Sequence, residues 1–346
     1  RLAGCCSTAK LLPRRHEYAG RKETASMTEE YIYAVARVRS RELSLLSRQD
    51  VDQLMACRTY DECLRTLSDK GWGGGDLSAE AVLAGEEEKT WAFIHELTDD
   101  LTPFNVLLYP TDYNNLKAAI KTVVTGVEPH DVFLPGGAVD PQVMLRCVRE
   151  GDFSDLPETM AAAADEAYHT LLETQDGQLC DVILDKACLV DLLRCGRESG
   201  VDILRDYAEL TVAISDIKIA VRACKTGKSR AFLESALVPC GTLDAVSLAA
   251  AACKSLEELF GYLTVTPYGE AAEKLRESYS AFEKYCDDRV MDLIKEQKMN
   301  PFTVGPLFAY VLARRNEINT VRIILSGKLN ELDDGMVRER LRDMYV

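Results

Sequence analysis

The sequence predicts an all-α protein, and three observations support this prediction. Apolar residues recur at helical spacing through most of the chain, as at Val311, Ile318, Val321 and Leu325. Strict alternation of apolar and polar residues over the length of a strand is nearly absent. In addition, a sequence pattern returns about every 100 residues, which is typical of proteins built from similar helical units.

Capping residues and breakers predict where each helix begins and ends. Thr28 opens the first helix, which ends near Leu46, and Asp50 caps a short helix that ends at Cys57. The run from Thr59 to Glu62 has the pattern of a capping box. Short loops with Gly, Pro or Asp separate the later elements. Further helices are predicted over residues 59–67, 78–100, 112–125, 140–150, 157–175, 179–198, 200–226, 229–236, 243–252, 255–263, 268–298 and 303–326.

The chain is predicted to end in a helical hairpin. Gly327 lies where a C-terminal cap of the first helix would be, and Asp333 or Asp334 can cap the second. The charged side of the second helix is left for solvent or a partner. Its apolar side contains Met336, Val337, Leu341 and Tyr345.

Internal repetition indicates three related helical units. The segment YNNLKAAIK at Tyr113 matches ISDIKIAVR at Ile214 and INTVRIILS at Ile318, at spacings of 101 and 104 residues. The PGG motif at Pro135 returns as PCG at Pro239, also 104 residues later. Chance similarity among amphipathic helices is the alternative, and two markers at nearly one spacing argue against it.

These repeats predict a division into a leader and three units. Residues 27–112 form the first unit, which the C-terminal helices complete, and residues 113–213 form the second. The third covers 214–346 and ends in the helical hairpin. Residues 1–26 carry a net +4, whereas the rest carries −19. We expect them to be a non-native or upstream leader, with an acid-poor transit peptide as the alternative.

Composition excludes several classes of function. The net charge of −15 repels phosphate backbones, so we expect no nucleic-acid partner. The longest apolar run, residues 245–253, is far shorter than the ~20 residues of a membrane span. Any membrane association is therefore expected to go through partner proteins.

No catalytic, cofactor-binding or metal-binding set is predicted. The sequence Thr226-Gly-Lys-Ser resembles the end of a phosphate loop, but Arg222 replaces the first glycine and the segment follows a helix. The four histidines are scattered, and His95-Glu96 lacks the second histidine of a zinc motif. The carboxylates of Glu86, Glu87 and Glu88 are predicted to form a solvated face. Twelve cysteines without a C-x-x-C are expected to be reduced and mostly buried.

Both ends of the chain resemble one known family. The closing stretch is EINTVRIILSGKL from Glu317, followed by VRERLR at Val337 and the terminal Tyr345-Val346. The opening stretch is YIYAVARVR from Tyr31, followed by Glu42 and two leucines. Together they resemble the C subunit of bacterial and archaeal V/A-type ATPases, the counterpart of the eukaryotic V-ATPase d subunit, over roughly Met27 to Val346.

This resemblance implies an architecture and a role. Family members are funnels of three similar helical domains with approximate three-fold pseudo-symmetry, and they are not catalytic. The chain would be a peripheral central-rotor subunit on the cytoplasmic face of the cell membrane. It would couple the D and F subunits of the central stalk to the proteolipid rotor ring during ATP-driven H⁺ or Na⁺ transport or ATP synthesis. The membrane stator subunit is a further candidate partner, and no cofactor is implied.

Basic residues are the candidate partner-binding groups. Lys117, Lys218 and Arg322 occupy the same place in the three copies of the repeat, and a ring of positive charge around a central cavity would follow from three-fold symmetry. The alternative is that they are solvated or pair within their own unit. Further candidates in the opening and closing stretches are Arg37, Arg39 and Arg315.

A different class of function fits the residues alone. A helical-repeat adaptor unrelated to the ATPase would share the repeats and the lack of a catalytic site. The termini discriminate between the two hypotheses, because an unrelated adaptor has no reason to carry both family-like ends.

Overall fold

The computed structural model describes residues 31–73, 78–127 and 131–346. This part of the chain contains 16 α-helices and no β-strand, so the all-α prediction is confirmed. The predicted leader, residues 1–26, lies outside the described residues.

The helices follow one another with short connections. In chain order they are α1 (31–42), α2 (Arg48–Ala56), α3 (Tyr60–Asp69), α4 (Ala79–His95), α5 (Asn105–Thr125), α6 (Pro141–Glu150), α7 (Glu158–Thr174), α8 (Gly177–Glu198), α9 (Asp202–Thr226), α10 (Arg230–Ala236), α11 (Ala245–Ala252), α12 (Leu256–Leu263), α13 (Gly269–Glu277), α14 (Tyr279–Lys295), α15 (Gly305–Leu329) and α16 (Asp334–Arg340). Two 3₁₀ turns, Thr102–Phe104 and Glu296–Met299, precede α5 and follow α14.

Helix caps explain most of these boundaries and correct two predictions. The Ser47 hydroxyl accepts the Asp50 N–H at 3.3 Å, and the Asp50 carboxylate accepts the Ser47 N–H at 2.8 Å. The capping box therefore begins α2, with Ser47 and not Asp50 as the N-cap. At α3, Thr59 caps as predicted, but the Glu62 carboxylate accepts the N–H of Arg58 instead of that of Thr59.

Two helix predictions needed larger corrections. Helix α5 begins at Asn105 instead of residue 112, directly after a 3₁₀ turn that contains a proline. The predicted helix over 268–298 is divided at Ser278, whose backbone is extended. The Ser278 hydroxyl accepts the N–H of Ala281, and this cap starts α14.

The end of the chain differs from the predicted hairpin. Gly327 lies inside α15, which continues to Leu329, so it is not a cap. A Cβ atom at Gly327 would lie 2.6 Å from Cγ2 of Val337, so this glycine allows α16 to approach α15 closely. Asp333 caps α16 as one of the two predicted alternatives. The helix ends at Arg340, and residues 341–346 form a non-helical tail.

Buried apolar side chains form three cores. The central core contains α5 to α8 together with parts of α1, α4, α9, α14 and α15. The contiguous core comes from one run of the chain, from Leu210 in α9 to Cys286 in α14. The split core combines two distant runs, residues 46–83 and residues 318–344. Helix α15 thus leaves the central core at its midpoint and packs against α2, α3 and α4.

Each copy of the repeat contributes to a different core. Leu116 of the first copy is in the central core, Ile217 of the second is in the contiguous core, and Val321 of the third is in the split core. All three side chains are fully buried. The unit boundaries at residues 112 and 213 remain predictions.

Buried carboxylates on the long helices fix the loops that follow them. Asp112 on α5 accepts the N–H of Val139 at 3.1 Å, one residue before the N-cap of α6. Glu317 on α15 accepts the N–H of Leu46, one residue before the N-cap of α2. Glu317 and Asp112 are 205 residues apart, the spacing that also separates Ile318 from Tyr113. The repeat therefore preserves a hydrogen bond as well as an apolar stripe.

Helix α9 also has carboxylates that fix the loop after α10, at positions close to the repeat equivalent of Asp112. Asp216 on α9 accepts the N–H of Val238 at 3.2 Å, and Glu209 accepts the N–H of Gly241 at 2.7 Å. Burial raises the pKa of Asp216 to about 7, although the bond from Val238 acts in the opposite direction. Burial likewise raises the pKa of Asp112 to about 6.

Cysteines behave largely as the composition indicates. The ten described cysteines are all free thiols, and six of them are buried. Cys253, which lies in an apolar stretch of sequence, is exposed because it follows the last residue of α11.

Candidate partner-binding surfaces

Lys117, the first of the repeated basic residues, is paired within its own part of the chain. Its ammonium group on α5 contacts the Asp185 carboxylate on α8 and lies 3.4 Å from the side-chain oxygen of Asn114. The Lys117 side chain is largely buried. This geometry agrees with the alternative in which the repeated cations pair within their own unit.

Lys218, the second, lies in a cleft between α8, α9 and α10. The cleft has a volume of about 470 Å³, and Arg222 and Asp185 also line it. Asp185 therefore connects two of the repeated cations, since it contacts Lys117 and faces the same cleft as Lys218.

Arg322, the third, is exposed on α15, where its guanidinium donates to the side chain of Asn319 at 2.8 Å. The three repeated cations thus have three different environments. One is paired and largely buried, one lines a cleft, and one faces solvent. A ring formed by all three remains a prediction.

Arg37 and Arg39 lie on the first helix. Arg37 donates to Tyr33 at 2.9 Å and to Glu96 at 3.1 Å, and it stacks over the ring of Phe93. Arg39 donates twice to Glu42 and also to the carbonyl of Gln297 at 2.6 Å. Both guanidinium groups therefore have acceptors within this chain, and Arg39 connects α1 to the turn after α14.

Arg315 points toward α4 and the start of α5. Its guanidinium lies 5.8 Å from the ring centroid of Trp91 and 3.5 Å from the carbonyl of Leu107. These are long contacts, so Arg315 is the less firmly held of the two consecutive arginines on α15.

Sequence reasoning missed the neighbouring Arg314, which occupies a buried ion cluster. Its guanidinium donates to Glu86 on α4 and to Glu317 on α15, both at 2.5 Å, and lies over the ring of Trp72. All three charged side chains are less than a tenth exposed. Burial raises the pKa of Glu317 to about 7, whereas Arg314 and the Leu46 N–H act to lower it.

The prediction of a solvated face over Glu86, Glu87 and Glu88 is therefore wrong for Glu86. Only Glu87 and Glu88 are exposed. A signal was present in the sequence, because Glu86 is four residues after Val82 and four before Thr90, both of which are buried. The position thus lies on the buried stripe of α4.

The non-helical tail crosses several helices. The N–H of Asp343 donates to Asp288 on α14 at 2.9 Å, and its carbonyl accepts from Asn316 on α15 at 2.9 Å. The Tyr345 hydroxyl donates to Glu42 on α1 at 3.0 Å. Tyr345 is buried in the central core. The tail therefore joins the first, fourteenth and fifteenth helices.

The segment from Thr226 to Ser229 forms a turn between two helices. Gly227 has a φ of 64° and ends α9, and the Ser229 hydroxyl caps α10. The N–H of Lys228 donates to the carbonyl of Ala223 at 3.0 Å. Its ammonium group donates to Gln178 at 2.8 Å. The backbone donors that a phosphate loop would present are thus used within α9.

Comparison with known proteins decides the family. A family described as "ATP synthase (C/AC39) subunit" matches residues 34–340, which is most of the chain. The chain belongs to this family. Membership confirms the resemblance to the C subunit of V/A-type ATPases and places the chain among the subunits of such complexes.

Curated relatives of this family cover nearly the whole chain. The C subunit of the V-type sodium ATPase of Enterococcus hirae is 22% identical over 319 residues, covering 89% of this chain and 97% of the relative. The C subunit of the A-type ATP synthase of Desulfurococcus sp. is 25% identical over 335 residues, covering 91% and 90%. The corresponding protein of Methanothermobacter thermautotrophicus is 24% identical over 346 residues, covering 90% and 87%.

The C/AC39 chain carries no helix, in the part that the structure describes, that is long and apolar enough to cross a membrane. Among the same residues, no group of three or more His, Cys, Asp or Glu side chains is arranged to hold a metal ion.

Proposed function

We propose that this C/AC39 chain is a non-catalytic coupling subunit of the central rotor. It transmits torque between the D and F subunits of the central stalk and the proteolipid ring of a V/A-type ATPase. Its place is peripheral, on the cytoplasmic face of the cell membrane, and its contact with the membrane goes through these partners and the membrane stator subunit. Its three units surround a central funnel with approximate three-fold pseudo-symmetry.

The observation that carries this proposal is the path of α15. This 25-residue helix runs from the central core into the split core, where it packs against helices from the start of the chain. A body whose two ends share one core resists being pulled apart, because separating them exposes buried side chains to water. Torque transmission requires such stiffness, and family membership supplies the context in which torque is applied.

The buried ion cluster also supports the stiffness that torque transmission requires. Arg314 joins α15 to α4 across 228 residues of sequence through a charge-assisted hydrogen bond to Glu86, and a second such bond holds it to Glu317 of its own helix. The tail adds bonds from α14 to α1. The exposed basic residue Arg322 and the less firmly held Arg315 are the positions that we assign to partner contacts. Lys218 is also assigned to partner contacts. In contrast, Lys117, Arg37 and Arg39 are assigned an indirect part in partner binding, because each holds an acidic side chain of this chain in place.

The test compares membranes that contain or lack this subunit. Without it, we expect the catalytic part to retain ATP hydrolysis while ATP-driven ion transport is lost, and we expect added purified chain to restore transport. Full transport in its absence would contradict the proposal.

Two controls identify the class of protein. The purified chain alone is expected to show no ATP hydrolysis, and hydrolysis that a Lys228→Ala variant abolishes would contradict a non-catalytic role. Affinity capture from detergent-solubilised membranes should recover ATPase subunits. Capture of unrelated proteins alone would favour the adaptor alternative.

A further inference from the structure

One segment of this acidic protein is strongly basic. Residues 217–233 contain five Lys or Arg and no Asp or Glu, although the whole chain carries −15. This segment covers the C-terminal half of α9, the turn that follows it and most of α10. The basic residues are Lys218, Arg222, Lys225, Lys228 and Arg230.

The segment forms one side of the 470 Å³ cleft, and α8 forms the other. The floor of the cleft is apolar and includes Val182, Leu189, Ile219 and Phe232. Three of the five cations, Lys218, Arg222 and Lys228, also line the cleft, and the Lys228 ammonium group is 5.2 Å from the ring centroid of Phe232. The cleft therefore combines an apolar floor with a basic rim.

The acidic residues of the cleft are already neutralised. Asp181 pairs with Lys121 at 2.6 Å, and Asp185 pairs with Lys117, so each α8 carboxylate has a lysine of α5 as its partner. Within the described part of the chain, neither Lys218 nor Arg222 has an ion-pair partner.

The two free cations also repel each other. Lys218 and Arg222 are four residues apart on α9, a spacing at which like charges destabilise a helix. An anionic partner seated on the cleft would relieve this repulsion and would cover the apolar floor at the same time.

We propose that this cleft is the docking site for an acidic amphipathic helix of a partner protein. The apolar stripe of the helix lies on the floor formed by Val182, Leu189 and Ile219, and its carboxylates meet Lys218 and Arg222. This is the arrangement by which grooves select amphipathic helices, with apolar anchors for affinity and charges for orientation.

Other anionic ligands fit the cleft less well. A phosphate group would use backbone N–H donors at the turn, but the N–H groups of Gly227 and Lys228 donate to carbonyls of α9. A membrane surface would contact the exposed Arg222 but would not reach Lys218, which is half-buried beside the apolar floor. A helix can reach into the cleft with its own side chains.

The test uses the isolated full chain and a fluorescent model peptide, so it does not depend on the proposed coupling role. The peptide is helical, with a stripe of Leu on one face and Glu and Ala elsewhere. We expect saturable binding by fluorescence anisotropy that weakens as salt is added. A peptide of the same composition in scrambled order, and one with Lys in place of Glu, should bind much more weakly.

Charge-reversal variants locate the binding. Lys218→Glu with Arg222→Glu should weaken binding by about tenfold or more, which corresponds to ~1.4 kcal/mol. The matched control is Arg58→Glu with Arg65→Glu, which reverses two exposed charges beside and within α3 of the split core and should leave binding unchanged. Phe232→Ala tests the floor and should also weaken binding. Circular dichroism checks that each variant keeps its helices.

Three outcomes would overturn the proposal. One is no saturable binding of the acidic peptide, and another is equal loss in both charge-reversal pairs. The third is binding to vesicles that contain anionic lipid, or to inorganic phosphate, that exceeds binding to the peptide and is lost in the Lys218→Glu and Arg222→Glu variant.

Discussion

The split core and the contiguous core differ in how much of the chain each requires. The contiguous core is complete once residues 210–286 are present, because α9 to α14 are neighbours in sequence. The split core needs residues 46–83 and residues 318–344 together. The repeat segment at Ile214 therefore packs in a local core. The similar segment at Ile318 packs in a core that joins the two ends of the chain.

This difference indicates which core holds distant parts of the chain together. Contacts within the contiguous core join helices that are neighbours in sequence, so the loss of one contact does not separate distant parts of the chain. Contacts within the split core, by contrast, connect elements more than 200 residues apart, as between Glu86 and Arg314. We therefore expect changes in the split core to affect both ends of the protein, and changes in the contiguous core to remain local.

The largest effect is expected at Arg314. Replacing it in an Arg314→Met variant leaves Glu317 buried without its cation and leaves Glu86 with Lys89 alone, a change that costs about 3–5 kcal/mol. The free energy of unfolding in urea should fall by this amount. The control is Arg205→Met, whose ion pairs with Asp202 and Asp206 are exposed, and which should leave stability unchanged. Equal effects of the two variants would mean that the cluster does not stabilise the split core.

A smaller effect is expected from Asp216, which lies between Ile214 and Ile217 of the contiguous core and accepts the N–H of Val238. Its pKa in the fold is about 7, above the ~3.9 of an unfolded chain. A raised pKa means that the contribution to stability is complete below pH ~4 and is lost as pH rises through about 7. Between pH 5 and 7, the unmodified protein should lose about 2 kcal/mol relative to an Asp216→Asn variant.

The Asp216→Asn variant is expected to fold because another copy of the repeat already has an asparagine at this position. Asn115 lies 101 residues earlier at the same place in α5, where it accepts the N–H of Leu134 at 2.7 Å and donates to its carbonyl at 2.9 Å. Urea midpoints measured at several pH values test this. Parallel pH profiles for the variant and the unmodified protein would show that Asp216 does not titrate in this range.

The smallest changes in stability are expected from glycine substitutions, which allow the split core and the contiguous core to be compared directly. In Gly327→Ala the new methyl group would lie 2.6 Å from the stiff Val337 side chain, so we expect a net loss of about 1 kcal/mol despite the better helix propensity. In Gly261→Ala, on α12 of the contiguous core, nothing lies within 4 Å of the new Cβ. That variant should gain roughly 0.5–1 kcal/mol. Thermal unfolding of both variants measures the difference, and a gain in both would contradict the close packing at Gly327.

Much of the fold follows from local sequence. The apolar stripes and caps such as Thr59 predict most helices to within a few residues, because capping depends only on nearby atoms. The exceptions are informative. Gly327 has the sequence signature of a cap, but it lies within α15, where its lack of a Cβ atom allows Val337, ten residues later, to pack against it.

The site was harder to predict, because its partners are far apart in sequence. Arg314 and Glu86 are separated by 228 residues, and a single sequence does not show which distant helices meet. The repeated cations illustrate the same limit. Lys117, Lys218 and Arg322 share a register position, but their neighbours differ, so one is paired, one lines a cleft and one is exposed.

The central claim is that the two ends of the chain build one core, and hydrogen exchange in a truncated chain tests it most directly. A chain that ends at Leu332 lacks the buried side chains of Val337 and Met344, each of which stabilises by about 1.5–3 kcal/mol. We predict that backbone amides in α2 and α3 lose protection while those in α11 and α12 keep theirs. Unchanged protection in α2 and α3, or an equal loss in all four helices, would contradict the account.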